Sequence, residues 1–133
     1  MALRSEKHPI QSSDDVVRVR QLVRQWANEA KFSLVDQTKL VTATSELARN
    51  TLEHGGGGCV RIELVENGAR RGIRLAFEDN GPGIPDIQLA LRDGYTTGSG
   101  MGLGLSGSKR LVNEFDIKSE VGRGTTVTIV RWK

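Results

Sequence analysis

The chain has one cysteine, three prolines and few aromatic residues, only 5% of 133. A lone thiol cannot close a disulfide within the chain, and no second cysteine or histidine stands at ligand spacing to build a metal site, so Cys59 reads as a small buried strand residue. No apolar run approaches the roughly 20 residues of a membrane span. The opening MALRSEKHPIQSSDD has no signal-peptide core. A dominant charge is missing too: 19 Lys plus Arg against 16 Asp plus Glu leave +3, with both signs interspersed. These absences exclude a disulfide scaffold and a membrane bundle, and give no electrostatic reason for a nucleic-acid partner. The expectation is one cytoplasmic domain over residues 1–133, with no nucleic acid and no membrane among its partners.

Glycine is what the chain has in quantity: 16, ten of them in the clusters GGGG (55–58), DNGPGIP (79–85) and GSGMGLGL (98–105). Glycine gives up the most backbone freedom on ordering, so such clusters mark sharp turns or close approach to something else.

Between the clusters the hydrophobic period is clear. Ser12 or Ser13 can cap a helix whose Val16, Val19, Leu22, Val23, Trp26 and Ala30 recur at helical spacing. Ser33 and Asp36 have capping-box spacing before a longer helix carrying Leu40, Val41, Thr44, Leu47, Ala48 and Thr51, halted by Gly55–Gly58. The period then changes to two through Val60, Ile62 and Leu64, and again through Ile73, Leu75 and Phe77, with Asn67-Gly68 as a hairpin signal. Residues 79–100 show no sustained period and predict an irregular loop with one short helix at Ile87–Arg92, a length that is usually functional. A last helix is predicted over Met101–Phe115, followed by strands through Ile117, Ser119, Val121 and through Val127, Ile129, Arg131 that turn at Gly122 and Gly124. The resulting fold class is α+β: a two-layer sandwich, helices on one face of a largely antiparallel or mixed sheet.

Glu46 and Asn50 are four apart on the second helix and share a face, expected opposite the apolar stripe. A carboxylate and an amide oxygen there can enter one site, the amide suiting a hard cation such as Mg²⁺ that also keeps phosphate and water ligands. An isolated ExxxN pair is ordinarily a solvated helix face; the glycine boxes downstream change its weight. Asp79 ends a strand, where its carboxylate can accept a hydrogen bond from a base amino group while Gly81 and Gly83 bring backbone close to a flat ligand. GSGMGLGL spaces glycines at alternate positions before a helix, leaving amides free for phosphate; it is neither a Walker loop nor a Rossmann fingerprint. His8 and His54 lack partners at ligand spacing and are assigned no catalytic role.

ELARN, DNGPGIP, GSGMGLGL and GRGTTVTI stand in the order of the boxes of the GHKL ATPase superfamily, which the chain resembles from Ser33 onward. SELARN, EDNGPGIPDI, DGYTTGSG and KRLVNEF make it similar, more closely, to the RsbT-like serine kinases of bacterial stress signalling, within the anti-sigma-factor kinases. The resemblance implies ATP and Mg²⁺ as cofactors, Asn50 as the metal ligand and Glu46 as the general base. It implies nucleotide contacts from Asp79, Gly81, Gly83, Ile84 and Thr125 around the base. Gly100, Gly102 and Gly104 would line the phosphates through backbone amides, with Thr97, Gly98, Met101, Leu103 and Leu105 as further nucleotide contacts. Arg49, Lys109 and Arg110 are phosphate or partner contacts or else solvated charge, and Asp93, Tyr95, Thr96 and Thr97 form an ATP lid or an ordinary polar loop.

The function implied is an ATP-dependent serine/threonine kinase acting on STAS-domain antagonist proteins in a partner-switching pathway, then activating a PP2C-type phosphatase. The alternatives are an anti-sigma factor that also sequesters a sigma factor, and a non-catalytic ATP-dependent adaptor, against which the presence of Glu46 counts. A complete sensor histidine kinase is not expected, because the first helix offers no histidine.

Overall fold

The structure is a computed structural model that describes residues 2–84, 91 and 105–133. Its elements in chain order are β1 (Ala2–Ile10), α1 (Ser13–Glu29), α2 (Leu34–Glu53), β2 (Gly58–Asn67), β3 (Arg70–Asp79), α3 (Leu105–Arg110), β4 (Glu114–Glu120) and β5 (Gly124–Trp132).

Both long helices begin where the cap residues direct. Ser12 Oγ accepts from the Asp15 amide at 3.2 Å, with Asp14 and Asp15 in the positive first turn of α1. Ser33 Oγ accepts likewise from Asp36 at 3.1 Å and opens α2. Between them the chain reverses at Lys31, which adopts φ 63°. Val19, Val23, Trp26 and Ala27 of α1 and Leu40, Ala43, Leu47 and Ala48 of α2 are buried against the sheet. Thr44 and Thr51, also buried on α2, satisfy their hydroxyls on the Leu40 and Leu47 carbonyls at 2.8 and 2.9 Å.

The sheet runs in the order β1-β2-β3-β5-β4, and all four ladders are antiparallel, so the mixed alternative is not realised. Two tight hairpins, β2–β3 and β4–β5, account for most of this, since a short turn can only join antiparallel strands. In the first hairpin Asn67 pairs with Arg70, so the central turn residues are Gly68 and Ala69, one position later than Asn67-Gly68 suggested. Gly68 takes φ 64°, the positive value such a turn requires at its first central residue. Val60, Ile62, Ile73, Leu75, Phe77, Val127 and Ile129 face the helices.

Two predictions fail here for physical reasons. No strand was expected before α1, yet β1 pairs with β2 from Ala2 to Ile10. It is an edge strand held by its backbone ladder, with Ile10 alone fully buried, so it carries no apolar alternation; Pro9 is tolerated at such an edge. The helix predicted over Met101–Phe115 is helical, among the described residues, only from Leu105 to Arg110. Phe115 belongs to β4, where Phe115, Ile117 and Ser119 turn inward and Glu114, Asp116, Lys118 and Glu120 outward, a period of two that already starts at Glu114.

Two details lie away from the core. Arg131 reaches from β5 to donate to the Leu111 carbonyl just beyond α3 at 3.0 Å, and to Asp36 Oδ1 in the first turn of α2 at 2.5 Å. On the sheet face turned from the helices, the Trp132 ring lies over Gly72, where a Cβ would stand 2.7 Å from it. Arg70 stacks on that ring at 4.8 Å and Glu114 accepts its Nε1–H at 2.6 Å.

Candidate nucleotide site

The C-terminal half of α2 passes over the end of the sheet where β3 stops, and a pocket opens between them. Asn50, Thr51 and His54 line it from α2, Asp79 from the end of β3 and Thr125 from β5. Its walls are apolar: Leu47, Phe77, Ile84, Leu105 and Val127. Such walls suit the faces of a flat base, and the polar groups then select its edge and its substituents.

The glycines shape this pocket by leaving room. Gly55, whose N–H donates to the Asn50 carbonyl at 3.1 Å, lies so close to Asp79 that a Cβ there would overlap the carboxyl group. Gly81 in turn lies against Gly55, its own Cβ position being 2.7 Å from the Gly55 Cα. The Gly81 amide donates to Asp79 Oδ1 at 2.9 Å, which fixes the carboxylate at the mouth of the site. Gly83 has φ 78° and no space for a side chain against the Glu120 carbonyl, so both sterics and backbone conformation require glycine there.

The segment carrying Gly83 and Ile84 is seated on the β4–β5 turn. The Gly122 amide donates to Pro82 O at 2.9 Å, and the Ile84 amide to Ser119 Oγ at 2.7 Å. Ser119 Oγ also lies 2.8 Å from Thr125 Oγ1. His54 caps α2 and sits 3.4 Å from the Gly83 carbonyl through Nε2.

Asn50, Asp79, Ile84, Leu105 and Thr125 are thus brought into one pocket, with Gly81 and Gly83 shaping the segment behind it. Asn50 was expected opposite the apolar stripe of α2; it borders the stripe instead, next to Leu47 and Thr51, because the helix there overhangs the open end of the sheet. Glu46 stands one turn earlier, outside the pocket lining and partly exposed, its carboxylate held by Arg49 Nη1 at 2.9 Å. Cys59 lies in β2 as expected, though only half-buried.

Thr97, Gly98, Gly100, Met101, Gly102, Leu103 and Gly104 lie outside the described residues, as do Asp93, Tyr95, Thr96 and all of the predicted 87–92 helix except Leu91. Sequence reasoning missed His54, Gly55 and Ser119. His54 follows Asn50 by one helical turn, a spacing that could have placed it in the site. Nothing in the sequence singles out Ser119. Among the described residues no three His, Cys, Asp or Glu side chains cluster as a metal cage, so the donor set fits only a cation that takes most of its ligands from phosphate and water.

Residues 35–133 match the family described as histidine kinase-, DNA gyrase B-, and HSP90-like ATPase. The chain belongs to that family. Within it, the chain is 45% identical over 118 residues to the serine/threonine-protein kinase RsbT of Bacillus subtilis (strain 168), covering 89% of each protein. It is 34% identical over 98 residues to the anti-sigma F factor of Geobacillus stearothermophilus, covering 68% of this chain and 65% of that one. The expectation of an RsbT-like protein serine/threonine kinase that uses ATP therefore stands. The fold matches that of the RsbU and RsbW domains of Rv1364c from Mycobacterium tuberculosis, with a TM-score of 0.67 at 22% identity, over 98% of this chain and 33% of that one. A second likeness, to a chain of the SiaB-SiaC complex from Pseudomonas aeruginosa, has a TM-score of 0.57 at 14% identity and covers 99% and 91%. No helix among the described residues is long and apolar enough to cross a membrane.

Proposed function

We propose that this kinase is a single ATP-binding domain that phosphorylates serine or threonine on STAS-domain antagonist proteins in a cytoplasmic partner-switching pathway, and that once released it binds and activates a PP2C-type phosphatase. The observation that carries the nucleotide site is the convergence of Asn50 and Asp79 on one apolar-walled pocket that Leu105, the first residue of α3, also lines.

In this reading Asp79 accepts from the amino group of adenine, Thr125 supports the same edge, and Ile84, Phe77 and Val127 hold the ring faces. Asn50 would hold Mg²⁺ through its side-chain oxygen, and the ion would supply charge neutralisation at the phosphates. Glu46, at the pocket's solvent side, accepts the proton of the substrate hydroxyl as its oxygen attacks the γ-phosphorus and ADP leaves. Arg49 orients that carboxylate until the substrate arrives. A partly exposed base suits a protein substrate, whose hydroxyl must reach the γ-phosphate from outside.

The likeness to anti-sigma F factors favours a second reading, in which the same domain also sequesters a sigma factor. The test is the intact mass of a STAS-domain antagonist from the same genome after incubation with the chain and Mg·ATP. A gain of one phosphate that Glu46→Gln abolishes supports the kinase reading; no gain despite ATP binding overturns it for that substrate class. Co-purification with a sigma subunit, and not with a PP2C-type phosphatase, selects the second reading.

A further inference from the structure

Ser119, on the inward face of β4, makes three hydrogen-bond contacts, and two of them end on residues that line the pocket, Ile84 and Thr125. Its Oγ accepts the Ile84 amide at 2.7 Å, is within donor reach of the Gly124 carbonyl at 3.2 Å, and lies 2.8 Å from Thr125 Oγ1, where either hydroxyl can donate. Thr125 is buried, and it lines the pocket with Asp79.

A hydroxyl has one proton to give. If Ser119 gives it to Thr125, along the shorter contact, then Thr125 keeps its own proton for the pocket. If Ser119 gives it to Gly124 O, Thr125 must donate to Ser119 and shows the pocket only lone pairs. The first arrangement sets a donor, Thr125, in the same pocket as an acceptor, the Asp79 carboxylate. That pair is complementary to the acceptor N1 and donor amino group of adenine, and opposed to the N1–H and O6 of guanine.

We propose that Ser119 is a positioning residue that fixes Thr125 as a hydrogen-bond donor and pins the Ile84 amide, so that the site prefers adenine to guanine. The proposal rests on the reading of this pocket as the ATP site. Ser119 does not touch the nucleotide; it acts through Thr125 and Ile84.

The experiment is calorimetric binding of ATP, GTP and inorganic triphosphate to the whole chain as wild type, Ser119→Ala and Ser119→Thr, with thermal melts in the absence of nucleotide. Loss of one directed hydrogen bond corresponds to about a tenfold loss of ATP affinity. The expected result is that loss in Ser119→Ala, a narrowed ATP-to-GTP ratio, unchanged triphosphate binding, and recovery in Ser119→Thr. A wild-type ratio in Ser119→Ala overturns the proposal, and so does a parallel loss of triphosphate, which would mark a merely structural role. If Ser119→Ala does not fold, Ser119→Cys, similar in size with a weaker donor, is read against the same outcomes. Failure of the wild type to bind ATP would instead overturn the ATP reading itself.

Discussion

Gly55 touches Asp79: the α-carbon that follows the last turn of α2 rests on the carboxyl group at the end of β3, with no room between them for a methyl. The helix that bears Asn50 and the strand that bears Asp79 are therefore registered against each other by a missing side chain. GGGG is more than a helix stop, since its first glycine sets the distance between the two polar ends of the pocket.

Gly55→Ala is expected to displace the Asp79 carboxylate while leaving the fold in place, because the Gly55 backbone is not in the positive-φ region. ATP affinity should fall about tenfold or more, a loss on the scale of one charge-assisted hydrogen bond. Thermal melting should fall as well, because the new methyl would also stand 2.5 Å from the Asp79 Cβ. Unchanged ATP affinity by calorimetry would refute the contact's role.

Glu46 and Asn50 should separate binding from chemistry. Glu46→Gln keeps ATP affinity within about twofold and lowers phosphoryl transfer by about 10²-fold or more, the usual contribution of a positioned base. Asn50→Ala weakens Mg·ATP binding itself. Equal loss of nucleotide affinity in both variants would contradict the assignment.

The Asp36–Arg131 pair predicts a pH dependence. The hydrogen bond from Arg131 is the main reason the Asp36 carboxyl is held below its ordinary value of 3.8, with burial opposing it. A carboxyl lowered in the folded state stabilises fully above its unfolded value, and this stabilisation is lost as pH falls below 3.8 toward the lowered one. Asp36→Asn should cost about 1–2 kcal/mol at neutral pH, as for a hydrogen bond to a charged group. Melts of the two proteins should converge below about pH 3. A gap that stays constant with pH would show that the charge is not what Arg131 uses.

Trp132→Ala should lower stability and leave nucleotide binding intact. Removing the ring strips the cover from Gly72 and ends the Arg70 and Glu114 contacts on the face away from the helices, at a cost of about 2 kcal/mol. Because the pocket opens on the other face of the sheet, ATP affinity should be unchanged. A nucleotide defect in folded Trp132→Ala would show that the two faces are coupled.

Much of this was legible locally. Ser12 and Ser33 fixed the helix starts, since a cap is a short-range hydrogen bond between a side chain and an amide three residues on. The alternation in Val60–Leu64 and Ile73–Phe77 identified the central strands, because those are buried on one face only. β1 escaped notice because an edge strand needs backbone partners more than apolar side chains. The α3–β4 boundary was misplaced because Leu111, Val112 and Phe115 suit a helical stripe as well as they suit a helix end followed by a strand.

By itself, then, the sequence determined the element types, the glycine clusters and the family motifs that single out Asn50, Asp79 and Thr125, which the fold brings to one pocket. Only the tertiary structure decided that Gly55 abuts Asp79, that Ser119 holds both Ile84 and Thr125, and that Arg131 ties the end of α3 to the start of α2. Those contacts join residues up to 95 positions apart, and their geometry arises from how the strands register and how the helices overhang the sheet, which no local pattern records.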